Sequence, residues 1–160
     1  VLENIMLAMD HRRKINFFSS LLPFGAGKKE FENTREQAVE YLKYANLAEY
    51  KDQRAENLSY GKQRELEICR AIATGADLLL LDEPAAGLNP SETAGLMENI
   101  RNIKNNLNKS IFLIEHDMKL VMGISDRIVV FDYGQKIAEG TAEEIRNNPA
   151  VIKAYLGKGE

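Results

Sequence analysis

Two short segments carry residue types suited to phosphate chemistry. Leu58-Ser59-Tyr60-Gly61-Lys62-Gln63 puts a small hydroxyl and a glycine at a predicted helix start. Free backbone N–H groups and the positive end of the helix dipole hold an anion at such a place. Leu78-Leu79-Leu80-Leu81-Asp82-Glu83-Pro84 is an apolar run too short for a helix that ends in two carboxylates. That is the pattern of a buried parallel strand whose tip carries chemistry. An anion-holding turn and an acidic pair together describe half of a nucleotide-hydrolysing site. In that reading Asp82 binds magnesium, usually through water, because a hard cation held by phosphates needs a nearby carboxylate oxygen. Glu83 polarises the attacking water as general base. The structural alternatives are a serine cap with a turn glycine, and two solvated loop carboxylates after a core strand.

The other half of such a site is missing. A phosphate-wrapping loop needs glycine, four residues, then Gly-Lys-Ser/Thr, so that its amides surround the phosphates and its hydroxyl reaches the metal. Phe24-Gly25-Ala26-Gly27-Lys28-Lys29 is the nearest stretch, with Leu22 in place of the first glycine and Lys29 in place of the hydroxyl. It reads as a surface loop.

His116 follows the apolar strand pattern of Ser110 to Glu115 and so lies at a strand's carboxyl end, where catalytic groups of open α/β sheets gather. Taken alone, a structural or exposed histidine explains it equally. His11, beside Arg12 and Arg13, reads as surface. Cys69 is the single cysteine and lies on an apolar helical stripe, which fits a buried structural thiol in a reducing compartment.

The elements that must position these groups change character once. Residues 1–75 read as helical: Val1, Leu2, Ile5, Met6 and Met9 on one face, a loop around Pro23 to Gly27, a long helix striped by Phe31, Ala38, Leu42 and Ala45, and a third with Leu66, Cys69, Ile72 and Ala73. Residues 76–160 alternate: strand Leu78 to Asp82, helix Pro90 to about Leu107, strand Ser110 to Glu115, a short helix from Met118, and strand Arg127 to Asp132. Such alternation predicts an α/β fold with a parallel sheet covered by helices. Asn89 with Pro90 and Glu92, and Thr141 with Glu144, predict two capped helix starts. Tyr133-Gly134 predicts a hairpin between Ile128 to Asp132 and Gln135 to Glu139.

Composition limits the class without naming a function. The 160 residues, 44% hydrophobic and 28% charged, are enough for one domain of ordinary globular composition. A net charge of -3 gives no electrostatic reason to expect nucleic acid. No run approaches a membrane span, and Val1-Leu2-Glu3-Asn4 lacks the regions of a signal peptide. Arg12-Arg13-Lys14 with Phe17 and Phe18 could face a membrane partner or phospholipid, or form a solvated charge run beside a small apolar cluster.

The two segments together resemble the ATP-binding cassette (ABC) ATPases, whose fold is that of a P-loop NTPase. Ser59 to Gln63 matches the signature motif and Leu78 to Glu83 the Walker B strand with its catalytic glutamate. The resemblance implies that Ser59, Gly61 and Gln63 act in trans, closing over the γ-phosphate of ATP held by the second subunit of a dimer. Tyr60 stands where many relatives carry glycine. His116 matches the switch histidine, which contacts the γ-phosphate and orients the water. Ala85-Ala86-Gly87-Leu88-Asn89 corresponds to the D-loop, with Asn89 where many relatives have aspartate.

Leu81 to Pro90, Ile114 to Met122, and the ending Ile145-Arg146-Asn147-Asn148-Pro149 to Ala154-Tyr155-Leu156-Gly157 are similar to the ATPase subunit of branched-chain amino acid importers. The resemblance implies a C-terminal fragment of such a subunit: a helical signature subdomain over 1–75 and the C-terminal part of the ATPase core over 76–160. The P-loop would lie upstream of Val1. The implied cofactors are ATP and Mg, for the full-length subunit. The implied partners are a second ATPase subunit and transmembrane permease subunits, at the cytoplasmic face of the membrane. The fragment alone is expected to neither bind nor hydrolyse ATP. It is also expected to self-associate through the strand edge beside Ile111 and Leu113, which the P-loop strand covers in the family. An ABC-type ATPase working on DNA or ribosomes, and a non-catalytic interaction module, are the other function classes; the chain lacks coiled-coil heptads and a basic surplus.

Overall fold

The computed structural model describes residues 1–10 and 26–156. His11, Arg12, Arg13, Lys14, Phe17, Phe18 and the start of the glycine-lysine stretch lie outside the described residues. The chain divides into two compact units, Val1–Ile114 and Glu115–Glu160. This division does not follow the change of pattern at residue 75.

In the first unit three helices gather one apolar core. Helix α1 (Leu2–Asp10), α2 (Ala26–Tyr44) and α3 (Tyr60–Ala73) bury Leu2, Ile5 and Met9, then Ala38 and Leu42, then Leu66, Cys69 and Ala73 in a shared cluster. These positions recur three or four residues apart, so each helix presents one apolar stripe. Phe31 shares the α2 stripe but is 54% exposed, because burial along α2 begins only at Thr34. The loop expected from Pro23 to Gly27 is corrected at its end, the part that the described residues include. Ala26, Gly27, Lys28 and Lys29 already belong to α2, where the remaining 15 residues of the helix outweigh the weak propensity of one glycine.

Strands β1 (Leu78–Asp82) and β2 (Ser110–Ile114) pair in parallel, with Leu80 opposite Phe112 and Asp82 opposite Ile114. Helix α4 (Pro90–Leu107) connects them and buries Leu96, Asn99, Ile100 and Ile103. Its start has the predicted capping box: Asn89 Oδ1 accepts from Ser91 N and Glu92 N, and Glu92 Oε2 accepts from Asn89 N. The strand pattern corrects one expectation. Leu79 and Leu81 are buried, whereas Leu78, Leu80, Phe112 and Ile114 are more than half exposed. Among the described residues the parallel pair is therefore covered on one face only.

In the second unit, β3 (Ile128–Asp132) and β4 (Gln135–Gly140) form an antiparallel hairpin with a register shift at Val130/Phe131. Tyr133 and Gly134 both have positive φ, 43° and 78°, as the tight turn requires. A two-residue turn returns the chain alongside itself, so β3 pairs with β4. Three short helices, α5 (Met118–Ile124), α6 (Ala142–Arg146) and α7 (Pro149–Val151, running into a π turn to Leu156), complete the unit. Ile145 and Val151 pack on Ile128, Val130 and Ala138, with Met118, Val121 and Met122 beside them.

Candidate functional site

Ser59 is the N-cap of α3. Its backbone is extended, its Oγ accepts from Lys62 N at 3.4 Å, and its carbonyl accepts from Gln63 N at 2.9 Å. The N–H groups of Tyr60 and Gly61 are left without an intrahelical acceptor, as at any helix start, and Ser59 itself is exposed. Gly61 is buried against Glu92: a Cβ at Gly61 would lie 3.0 Å from Glu92 Cδ and Oε1. Gln63 turns back on its own loop, its Nε2 donating to Leu58 O at 3.0 Å. Lys62, which the sequence reading left out, pairs with Glu65 at 3.0 Å, and its Nζ lies 5.6 Å from the centre of the Tyr50 ring.

Asp82 ends β1 with an exposed side chain, and Glu83 follows it, also exposed. Glu83 N donates to Ile114 O at 2.9 Å, while its φ of 43° places a non-glycine residue in the left-handed region. Backbone of this kind costs of order 1–3 kcal/mol and clusters at functional sites. Pro84 is buried, and the following turns close through Ala86 N to Glu83 O and Leu88 N to Ala85 O, both 3.1 Å. Gly87 has φ 78°, and a Cβ there would meet Tyr60 Cε1 at 3.3 Å. Within the first unit the structure thus brings the Ser59 turn onto the loop that follows the acidic pair.

His116 belongs to the second unit. Its side chain is 73% exposed and its N–H donates to Glu115 Oε2 at 3.1 Å. Glu115 is the residue that the sequence reading passed over. Its side chain is almost wholly buried, and its Oε2 also faces Asp117 N at 3.5 Å, so it holds the turn that carries His116. The signal lay in the alternation Ile111, Leu113, Glu115, which puts the carboxylate in line with half-buried residues. Asp117 then caps α5, accepting from Lys119 N and Leu120 N.

Cys69 is fully buried, and burial pushes its thiol up to about 12, so it stays protonated and packs as an apolar group. Among the described residues no group of three or more His, Cys, Asp or Glu side chains is placed to hold a metal ion. Two carboxylates at a strand tip fit a cation whose other ligands are phosphate oxygens and water.

The family model for ABC transporters matches residues 3–86, and that for the branched-chain amino acid ATP-binding cassette transporter matches 135–160. The chain is 50% identical over 158 residues to the high-affinity branched-chain amino acid transport ATP-binding protein LivG of Salmonella typhimurium, covering 99% of this chain and 62% of that protein. The corresponding protein BraF of Pseudomonas aeruginosa is 46% identical over 156 residues, covering 98% and 61%. The chain therefore spans about three fifths of the length of these relatives. Among solved structures, the ADP conformation of MJ1267, an ATP-binding cassette of an ABC transporter, superimposes with a TM-score of 0.73 at 25% identity over 98% of this chain and 63% of that one. The dimeric post-hydrolysis state of the cassette MJ0796, bound to ADP and Pi, gives 0.66 at 23% identity over 88% and 56%, a likeness of fold alone.

Proposed function

The chain belongs to the ABC transporter family, and we propose that it is the signature and Walker B part of the ATP-hydrolysing subunit of an importer for branched-chain amino acids. The observation that carries this reading is 50% identity to such a subunit across 99% of the chain, in a sequence where Ser59, Gly61, Asp82, Glu83 and His116 are all present.

The chemistry follows from the strand tip. Magnesium, when bound, would neutralise phosphate charge, and Asp82 would hold it through water. Glu83 accepts the proton of the water that attacks the γ-phosphorus as the bond to the ADP oxygen breaks. His116 orients that water and contacts the γ-phosphate. Ser59, Gly61 and Gln63 serve the nucleotide of a second subunit, the free N–H groups at the start of α3 facing its γ-phosphate. Gln63, whose amide is tied to Leu58 O, acts by fixing the turn.

The partners in this reading are a second ATPase subunit and transmembrane permease subunits, with residues 1–75 transmitting closure to the permease. The protein sits peripherally on the cytoplasmic face; no helix among the described residues is long and apolar enough to cross a membrane. With a net charge of -3, no nucleic-acid partner is proposed. The test is ATP-dependent uptake of leucine into vesicles by a complete subunit carrying these residues, assembled with its permease. Uptake lost in Glu83→Gln supports the reading; uptake unaffected by that change refutes it.

A further inference from the structure

Tyr60 opens α3, one residue after the cap Ser59, and its ring lies on Gly87 in the loop that follows Glu83. The approach is close enough that a Cβ on Gly87 would sit 3.3 Å from Tyr60 Cε1, and Gly87 has a φ of 78° that L side chains rarely adopt. The ring is braced along α3. Arg64 donates to Tyr60 Oη at 3.1 Å, its guanidinium carbon lies 5.5 Å from the ring centre, and its other terminal nitrogen is held by Glu67 at 2.8 Å. The guanidinium keeps this place although Arg64 Nε is buried with no hydrogen-bond partner, a desolvation cost that a fully solvated arginine avoids. The loop under the ring is tied to the acidic tip by Ala86 N donating to Glu83 O.

We propose that Tyr60 is a positioning residue for hydrolysis: its braced ring sets the loop from Pro84 to Asn89, and through it Glu83, against the Ser59 turn of the same chain. This rests on the reading of Glu83 as general base. Gly87 is exposed even with the half-exposed Tyr60 ring against it, so removing the ring takes away the packing contact on that side, and a left-handed glycine without it has many conformations available. Glu83 then spends less time in the productive geometry. Nucleotide binding changes less than turnover, because the N–H groups at the start of α3 belong to the backbone, which the substitution leaves in place.

In a complete subunit carrying these residues, Tyr60→Ala lowers kcat by about 10- to 100-fold and leaves KM for ATP within about twofold. Tyr60→Phe keeps the ring on Gly87 and restores most of kcat. In the present chain, the amides of Ala86 and Leu88 exchange with deuterium about tenfold faster in Tyr60→Ala and unchanged in Tyr60→Phe. If Tyr60→Ala does not fold, Tyr60→Leu, which retains apolar bulk without a planar ring, takes its place. A kcat within twofold of wild type in the ring-less variant, an effect on KM alone, or a Tyr60→Phe protein as slow as Tyr60→Ala overturns the proposal. A wild-type subunit that does not hydrolyse ATP refutes the functional reading instead, and amide exchange still decides whether Tyr60 braces the loop.

Discussion

The backbone N–H of Glu83 donates to the carbonyl of Ile114 at 2.9 Å, so the parallel ladder continues one residue past Asp82 even though Glu83 has left the extended region. The two carboxylates are thereby placed by different means. Asp82 follows the strand, while Glu83 combines a ladder bond from its N–H, a turn bond in which its carbonyl accepts from Ala86 N, and a left-handed kink.

From that difference, Glu83→Gln in a complete subunit preserves the fold and ATP binding, while turnover falls by about 100-fold or more because only the proton acceptor is gone. Asp82→Asn instead weakens magnesium-dependent nucleotide binding. Steady-state hydrolysis and equilibrium binding separate the two. Hydrolysis at the normal rate in Glu83→Gln removes Glu83 from the role of base.

Among its described residues the present chain offers an ATP phosphate an acidic strand tip and no phosphate-wrapping loop. Titration with Mg-ATP up to about 1 mM is expected to give no saturable heat. Saturable binding that disappears in Asp82→Asn counts against this expectation.

The uncovered face of β1 and β2 presents Leu80 and Phe112 directly opposite each other, with Leu78 and Ile114 flanking them. Contiguous apolar surface of this kind favours association at roughly 25 cal/mol per Å² removed from water. Light scattering should report a species heavier than one chain, and Phe112→Lys should shift it toward monomer. Ser59→Arg, which would disrupt a nucleotide sandwich, should leave it unchanged. A monomeric wild-type chain sinks the idea.

Glu144 is held below its ordinary carboxylate value, first by the backbone N–H of Thr141 and then by the Thr141 hydroxyl. A lowered folded-state value means that the contribution to stability is complete above the unfolded value and is lost as pH falls through the folded one. A carboxyl-detected NMR titration should place Glu144 below a reference glutamate. Thr141→Ala should raise it toward the ordinary value, though the remaining backbone bond keeps part of the shift. An unshifted Glu144 in the native chain removes the capping box as a pH-dependent element.

Much of this was legible because local signals decide local structure. Asn89, Pro90 and Glu92 specified the start of α4, and Tyr133-Gly134 specified the hairpin, since caps and tight turns depend on a few adjacent residues. The acidic tip was legible for the same reason. What was not legible depends on neighbours distant in sequence. The exposure of Phe31, Leu80 and Phe112 reflects what packs on them, which periodicity does not contain. The contact of Tyr60 with Gly87 needs two turns 27 positions apart to meet. The burial of the Glu115 side chain likewise depends on what packs around it, although its place in the strand alternation already turns it inward.

Glu92 has two duties that pull on one side chain. Its carboxylate closes the capping box at Asn89, and the same end of the side chain forms the seat on which Gly61 rests. Positions 61 and 92 are therefore epistatic. Gly61→Ala makes Glu92 give way by a few tenths of an ångström and strains its bond to Asn89 N, Glu92→Ala removes that bond while leaving Asn89 Oδ1 capping α4 and opening room beside Gly61, and the double variant should cost less than the two single changes combined. A lineage could acquire a side chain at position 61 more easily after shortening the one at 92 than before it, so the order in which the two changes arrive matters.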